Sequence, residues 1–292
     1  MKERRIDSKS SRTAGFNCMY RAASYLETNV FYKSDDYIAP KLLPFFIKFI
    51  VKHRLVNFQW SFFPKGIYEY VISRTKYIDK IIKKEIEKSI DQIIILGAGF
   101  DSRAIRFEKI NKTTTFFELD SIHTQEAKIR QFKKKGISLP GKTIYIPIDF
   151  NVDSISDKIL QNGFNPNKKA LLLMEGLIMY LKNEEVSELF KLLYKLSSVG
   201  SSVIFDYIYA SVLRRENIYY GEKNIYNKVN SVKESWQFGI EKGDIEYFVN
   251  KFNFKLIENL TSNELEKLYF TDNNKNCVGK INGTHCIAYI KK

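Results

Sequence analysis

The sequence predicts an α/β fold: a doubly wound, mostly parallel sheet with an N-terminal helical cap. Three observations carry that expectation. The apolar stretch Ile93 to Leu96 runs directly into Gly97-Ala98-Gly99 and then into residues suited to a helix start. From 91 to 207, strand-like and helix-like stretches alternate, as in a parallel sheet built from βαβ units. Residues 1–90 show no such alternation and read as helical.

Within that first part, Thr13 to Glu27 has helical composition and includes Arg21. Asp35 to Phe49 holds Pro40 and Pro44, which break helices or begin them. Ile67 to Lys88 sets Tyr70, Val71, Tyr77, Ile78, Ile81 and Ile82 near a 3.6-residue period, so it reads as one long helix. Arg74 lies inside it. It belongs either to a solvated helix face or to a carboxylate clamp, because a planar guanidinium binds a carboxylate through two hydrogen bonds. Spacing alone does not choose.

The first strand is β-branched apart from Leu96, which suits burial on both faces. Gly97 and Gly99 allow a tight turn and the close approach of a ligand. Asp101 or Ser102 is placed to cap a helix starting at Arg103. Strand, glycine turn and helix start form a nucleotide-binding crevice, or else a tight turn that binds nothing. Ser102 stands where the full dinucleotide fingerprint needs a third glycine, so NAD is not singled out.

A second strand, Thr114 to Leu119, ends in Asp120. Glu118 and Asp120 share one side of it, and either is placed to accept from a ribose diol. The alternative is a pair of capping or edge acids. His123, on the next helix, reads as a surface residue. Thr143 to Ile148 is a third strand ending in Asp149-Phe150, a carboxylate and a ring suited to an adenine. Asp149 is equally suited to capping the turn. Ala170 to Met174 is the fourth strand, and Glu175 follows it into the crevice. A buried carboxylate there needs a partner, and a positively charged cofactor is one candidate.

A helix over 183–197 leads to a fifth strand, Ser202 to Tyr207. Residues 208–241 read as an irregular insertion over the carboxyl edge of the sheet. The tyrosines at its start and within it, Tyr207, Tyr209, Tyr219 and Tyr220, either line a pocket or cover the core. A helix over 244–250, a strand over 254–260 and an antiparallel edge strand over 285–290 complete the chain.

With 292 residues, 44% hydrophobic and 14% aromatic, the chain builds a sizeable core and is not globally disordered. The net charge of +14 favours acidic partners, but the lysines are scattered and read as general abundance rather than a patch. Cys18, Cys277 and Cys286 give neither a disulfide framework nor zinc spacing, so no metal is expected. Residues 1–15 are charged and lack the apolar run of a secretory signal. The apolar run 42–51 is too short to span a bilayer and contains Lys48. A cytoplasmic location is the expectation.

Assembled, these residues resemble the leucine carboxyl methyltransferase superfamily, including its bacterial S-adenosylmethionine-dependent O-methyltransferases. The matching stretches are SSRTAGFNCMYRA (10–22), RTKYID (74–79), IIILGAGFDSRAIRF (93–107), FFELD (116–120), PIDF (147–150) and LLLMEGLIMYL (171–181). The resemblance implies a class I, Rossmann-like methyltransferase core over 91–292, with 1–90 as a helical cap of the same domain and 208–241 as an insertion. It implies S-adenosylmethionine as cofactor and S-adenosylhomocysteine as product. Arg74 looks like the arginine that binds the methionine carboxylate, and Gly97 and Gly99 like the glycines against the methionine part. Asp120, with Glu118 beside it, looks like the ribose ligand. Asp149 and Phe150 look like the adenine contacts, and Glu175 like the glutamate near the cofactor's amino group. The family also places a basic residue of its N-terminal helix near the cofactor carboxylate, for which Arg21 is the candidate.

Methyl transfer from a sulfonium is an in-line displacement, and a carboxylate acceptor is already ionised at pH 7. The protein then supplies orientation and excludes water. The three histidines, His53, His123 and His285, form no catalytic constellation with a serine or cysteine. A hydroxyl acceptor needs a base. Tyr180 is the candidate for orienting an acceptor, which is expected to be a small molecule or a peptide. Three other readings stand beside this one. A nucleic-acid methyltransferase commonly carries an Asn/Asp-Pro-Pro-aromatic motif after strand four; here Glu175 to Ile178 replaces it, and no nucleic-acid partner is expected. A catalytically silent binding module is opposed by the acids at 120, 149 and 175, and an NAD-dependent oxidoreductase by Ser102.

Overall fold

The computed structural model describes residues 12–53, 63–150, 152–231 and 235–292. Residues 10 and 11 of the first matching stretch, and 232–234 of the insertion, lie outside the described residues.

The helical part comprises α1 (Arg12–Leu26), α2 (Ala39–Leu42), α3 (Phe45–Lys52) and α4 (Ile67–Glu87). Then β1 (Gln92–Leu96), α5 (Arg103–Arg106), β2 (Thr115–Asp120), α6 (Ile122–Lys134), β3 (Thr143–Pro147), α7 (Ile155–Gln161) and β4 (Ala170–Met174) alternate. After a 3₁₀ turn at Ile178–Tyr180 come α8 (Asn183–Leu196), β5 (Ser202–Ile208), α9 (Ala210–Leu213) and α10 (Glu222–Ser231). The chain closes with α11 (Ile245–Asn250), β6 (Lys255–Leu260), α12 (Ser262–Tyr269) and β7 (His285–Lys291).

The strands form one seven-stranded sheet in the order β3-β2-β1-β4-β5-β7-β6. The first five are parallel, and β7 runs antiparallel between β5 and β6. This is the doubly wound, mostly parallel sheet that the alternation predicts, in the class I, Rossmann-like form that the resemblance implies. The order reverses between β1 and β4, so their carboxyl ends leave a crevice at the switch point. β1 and β4 are buried at every residue, because helices cover both faces of a parallel sheet.

Four elements depart from the sequence reading. β7 is antiparallel as expected but lies between β5 and β6, so β6 and not β7 is the edge strand. The helix expected from Arg103 is a single turn, α5. α12 is not anticipated, although Thr261 and Glu264 form a capping box at its start. The 208–241 segment contains α9 and α10. It returns to the sheet where Ala210 N donates to Ile240 O and Ile240 N to Ile208 O, both at 3.0 Å. Its tyrosines pack together: the Tyr209 and Tyr219 rings stack at 4.7 Å, and Tyr207 Oη donates to Asn259 at 3.1 Å. Among the described residues, no helix is long and apolar enough to cross a membrane.

Candidate active site

A cavity of about 1040 Å³ opens over the carboxyl ends of β1, β2 and β4. Its floor is the turn after β1. Gly97 and Gly99 adopt φ of +67° and +49°, where a side chain is strained. A Cβ on Gly97 would lie 3.2 Å from Leu177 Cδ1, and one on Gly99 would lie 3.1 Å from Ala14 Cβ. The glycines therefore let Leu177 close on the turn at Gly97 and α1 at Gly99. Thr13, Ala14, Asn17 and Arg21 of α1 line the cavity from above.

Asp120 stands at the end of β2 and lines the cavity. Its Oδ2 accepts from Gly99 N at 2.6 Å and its Oδ1 from Ser121 N at 2.7 Å. Burial raises its pKa, and these two N–H groups oppose the rise. Oδ1 also accepts from Ser121 Oγ at 3.2 Å, so Oδ2 is the oxygen that keeps lone-pair capacity for a further donor. Phe150, 41% exposed, also lines the cavity. Glu175 and Tyr180 complete the contour after β4. Of the residues singled out in the sequence, the cavity thus brings together Arg21, Gly97, Gly99, Asp120, Phe150, Glu175 and Tyr180.

Arg74, Glu118 and Asp149 are not among its lining residues, and each has a physical reason. Glu118 sits two residues back along β2, about 7 Å from the strand end. Its carboxylate pairs with the ammonium of Lys128 on α6, and both side chains are buried. Burial pushes the Glu118 carboxyl up to about 7 despite that ammonium. Asp149 is exposed. Its backbone N donates to Asp153 Oδ2 at 2.9 Å, and it is Asp153 that reaches the lining. Arg74 is neither solvated nor on the cavity wall. It is 3% exposed, beneath Gly176, with Nη1 2.6 Å from Asp206 Oδ2 and Nη2 3.1 Å from Glu175 Oε1.

Those contacts belong to a buried ionic cluster that the sequence reading did not find. Glu175 Oε2 accepts from Arg103 Nη1 at 2.7 Å. Arg103 also pairs with Asp101 and, at 2.7 Å, with Asp79. Arg106 binds Asp79 at 2.6 Å and lies 3.4 Å from Asp36. Arg21 Nε donates to Asp36 at 2.9 Å and Nη2 to Phe100 O at 2.6 Å, which fastens α1 to the glycine turn. Tyr70 Oη and Gly176 N both donate to Asp206, at 2.9 and 2.6 Å. The partner that Glu175 requires is therefore supplied by the protein's own arginines.

Asp36, Asp79, Asp101, Glu175 and Asp206 stand against Arg21, Arg74, Arg103 and Arg106, so the cluster carries one carboxylate more than its guanidiniums neutralise. Glu175 keeps 11% of its side chain accessible. Burial alone would raise its pKa, but Arg103, Arg74 and Arg21 hold it down at about 2. The glycine cradle, the accessible Asp120 carboxylate and this surplus negative charge fit a nucleoside that carries a cation. Asp206 had one legible signal, a lone carboxylate inside the apolar run of β5.

Arg74→Ala removes the cation paired with the buried Asp206 carboxylate and leaves Glu175 with Arg103. The expected loss is about 3–5 kcal/mol of stability in urea unfolding. An unchanged midpoint would show that these pairs do not hold in solution.

The sign for acid follows from Glu175. Its folded-state pKa, about 2, lies below the ordinary 4.5, so the unfolded chain binds more protons between those values. The stabilisation is complete above about pH 4.5 and is lost as pH falls toward 2. Glu175→Gln flattens this part of the stability curve, as measured by urea midpoints across that range. Parallel curves for the two proteins would remove Glu175 from the acid response.

Comparison with known proteins gives the family and the fold. The leucine carboxyl methyltransferase family profile matches residues 47–194. A Bacillus subtilis protein named Putative S-adenosyl-L-methionine-dependent methyltransferase YktD is 25% identical over 221 residues, covering 76% of this chain and 72% of that protein. A Mycobacteroides abscessus relative of the same designation is 30% identical over 181 residues, and the match spans 56% of this chain and 58% of the relative. The crystal structure of a DUF574 family protein from Streptomyces avermitilis shares the fold. Its TM-score is 0.61 at 13% identity, over 99% of this chain and all of that one. The chain belongs to the leucine carboxyl methyltransferase family of S-adenosylmethionine-dependent methyltransferases.

Proposed function

We propose that the protein transfers the methyl group of S-adenosylmethionine to a carboxylate of a small or peptidic acceptor, giving a methyl ester. The observation that carries this reading is the state of the acids around the cavity. Asp101 and Glu175 are paired with arginine, and Asp120 accepts from two backbone N–H groups. Asp153 accepts from Asp149 N, Glu185 from Lys182 N, and Glu188 pairs with Lys191. No histidine is among the described lining residues. Every lining carboxylate is thus held by a donor or a cation, which favours an acceptor that arrives already ionised.

When bound, the cofactor supplies an electrophilic methyl on a good leaving group. The rest is positioning. Gly97 and Gly99 admit close approach of the methionine part, and Asp120 accepts from the ribose hydroxyls. Phe150 packs on the adenine. Arg21, on the cavity wall, takes the carboxylate-binding role that the resemblance implies for Arg74. Arg74 and Arg103 orient Glu175 toward the cofactor's amino group. α1 covers the cavity and excludes water. Tyr180 borders the same space and orients the acceptor.

Calorimetry with S-adenosylhomocysteine tests the cofactor site. Asp120→Ala is expected to weaken binding by about 1–3 kcal/mol for the lost charge-assisted hydrogen bonds, and an unchanged affinity would remove Asp120 from the site. Incubation with S-adenosylmethionine labelled on the methyl, followed by mild alkali, tests the acceptor chemistry. A methyl ester releases its label as methanol, and a methyl ether retains it. Retained label would overturn the carboxylate reading and leave hydroxyl methylation.

A further inference from the structure

α3 carries large apolar side chains that the described residues leave exposed, wholly or, for Phe49 against the His53 ring, in part. Phe45, Phe46 and Phe49 are 82%, 69% and 47% exposed, whereas Val51 on the inner side is buried and the helix packs on α1. Scattered exposed apolar residues are ordinary, but three phenylalanines in one short helix form a contiguous patch. At about 100° per residue the three rings occupy a single outward arc. Lys48 and Lys52, one turn apart, lie along its margin. Lys41 is exposed just before the helix, with its ammonium 5.8 Å from the Tyr37 ring.

The occupant of this face follows from charge. A second copy would bring two sets of lysines together in a chain whose net charge is already +14. A partner offering both apolar depth and negative charge satisfies the rings and the ammoniums at once. Phenylalanines that enter the acyl boundary while lysines meet headgroups are the arrangement of an interfacial helix. We propose that α3 docks this protein on an anionic lipid surface without spanning it. The proposal is independent of the acceptor chemistry, because no residue of α3 lines the cavity.

The test is cosedimentation of the full chain with vesicles of phosphatidylcholine alone and of phosphatidylcholine mixed with phosphatidylglycerol. The expected result is binding to the mixed vesicles that weakens with added salt and is at least about tenfold weaker on phosphatidylcholine alone. The combined substitutions F45S, F46S and F49S remove it, with thermal midpoint and S-adenosylhomocysteine affinity unchanged. If that variant fails to fold, K48E with K52E keeps the rings and tests the basic margin, and the same loss is expected. Absence of binding by the unaltered protein overturns the proposal, as does undiminished binding by either folded variant. A concentration-dependent dimer of the unaltered protein that the serine variant abolishes overturns it in favour of a self-association face.

Discussion

The buried contact between Glu175 and Arg103 is the constraint on which the site depends. It joins the end of β4 to the helix turn after the glycines, and Arg103 extends it to Asp79 on α4. Through Arg106 and Asp36 the same cluster reaches Arg21 and therefore α1. Helical cap and sheet are thus tied by charge at the mouth of the crevice, in addition to their apolar packing. Buried ion pairs add little net stability, because desolvation offsets much of the attraction. Removing one partner is costly, since a bare charge remains. Such a cluster specifies position more than it stabilises. It fixes where the Glu175 carboxylate and the covering helix stand relative to the glycine turn.

How much of this was legible in the sequence depended on the range of the interaction. The strands were legible because a parallel strand buried on both faces must be apolar throughout, as Ile93 to Leu96 and Ala170 to Met174 are. The glycine turn was legible because its backbone geometry demands glycine locally. Arg74 was not, because its partner Asp206 lies 132 residues away. Glu118 was half legible. The strand period gives its side of the sheet but not the lysine that covers it from α6. Asp149 and Asp153 lie four positions apart in the sequence, and no periodicity there says which of them faces the cavity. α12 did carry a local signal, the capping box at Thr261, which the loosely patterned carboxyl-terminal third obscured.

Two charge patterns of opposite sign meet in this molecule. The surface is rich in lysine, and the net charge is +14. The cluster beneath the cavity has a carboxylate in surplus. The first draws anions from solution. The second favours a cation in a place where water is excluded and electrostatic attraction is less screened.

Under the proposed reaction, each pattern attracts a charge that the reactants carry and the products have lost. A sulfonium gains from the surplus carboxylate inside, and a carboxylate acceptor gains from the positive exterior. Transfer of the methyl turns the sulfonium into a neutral thioether and the carboxylate into a neutral ester. Positive and negative charge disappear together, so the total is conserved while each long-range attraction is lost. The acid side chains need take no proton for this. Their task is to remain ionised, which the arginines ensure for Glu175 by holding it well below its ordinary range. A Glu175 held ionised is therefore matched to a reaction in which charge neutralisation, rather than proton transfer, separates substrates from products.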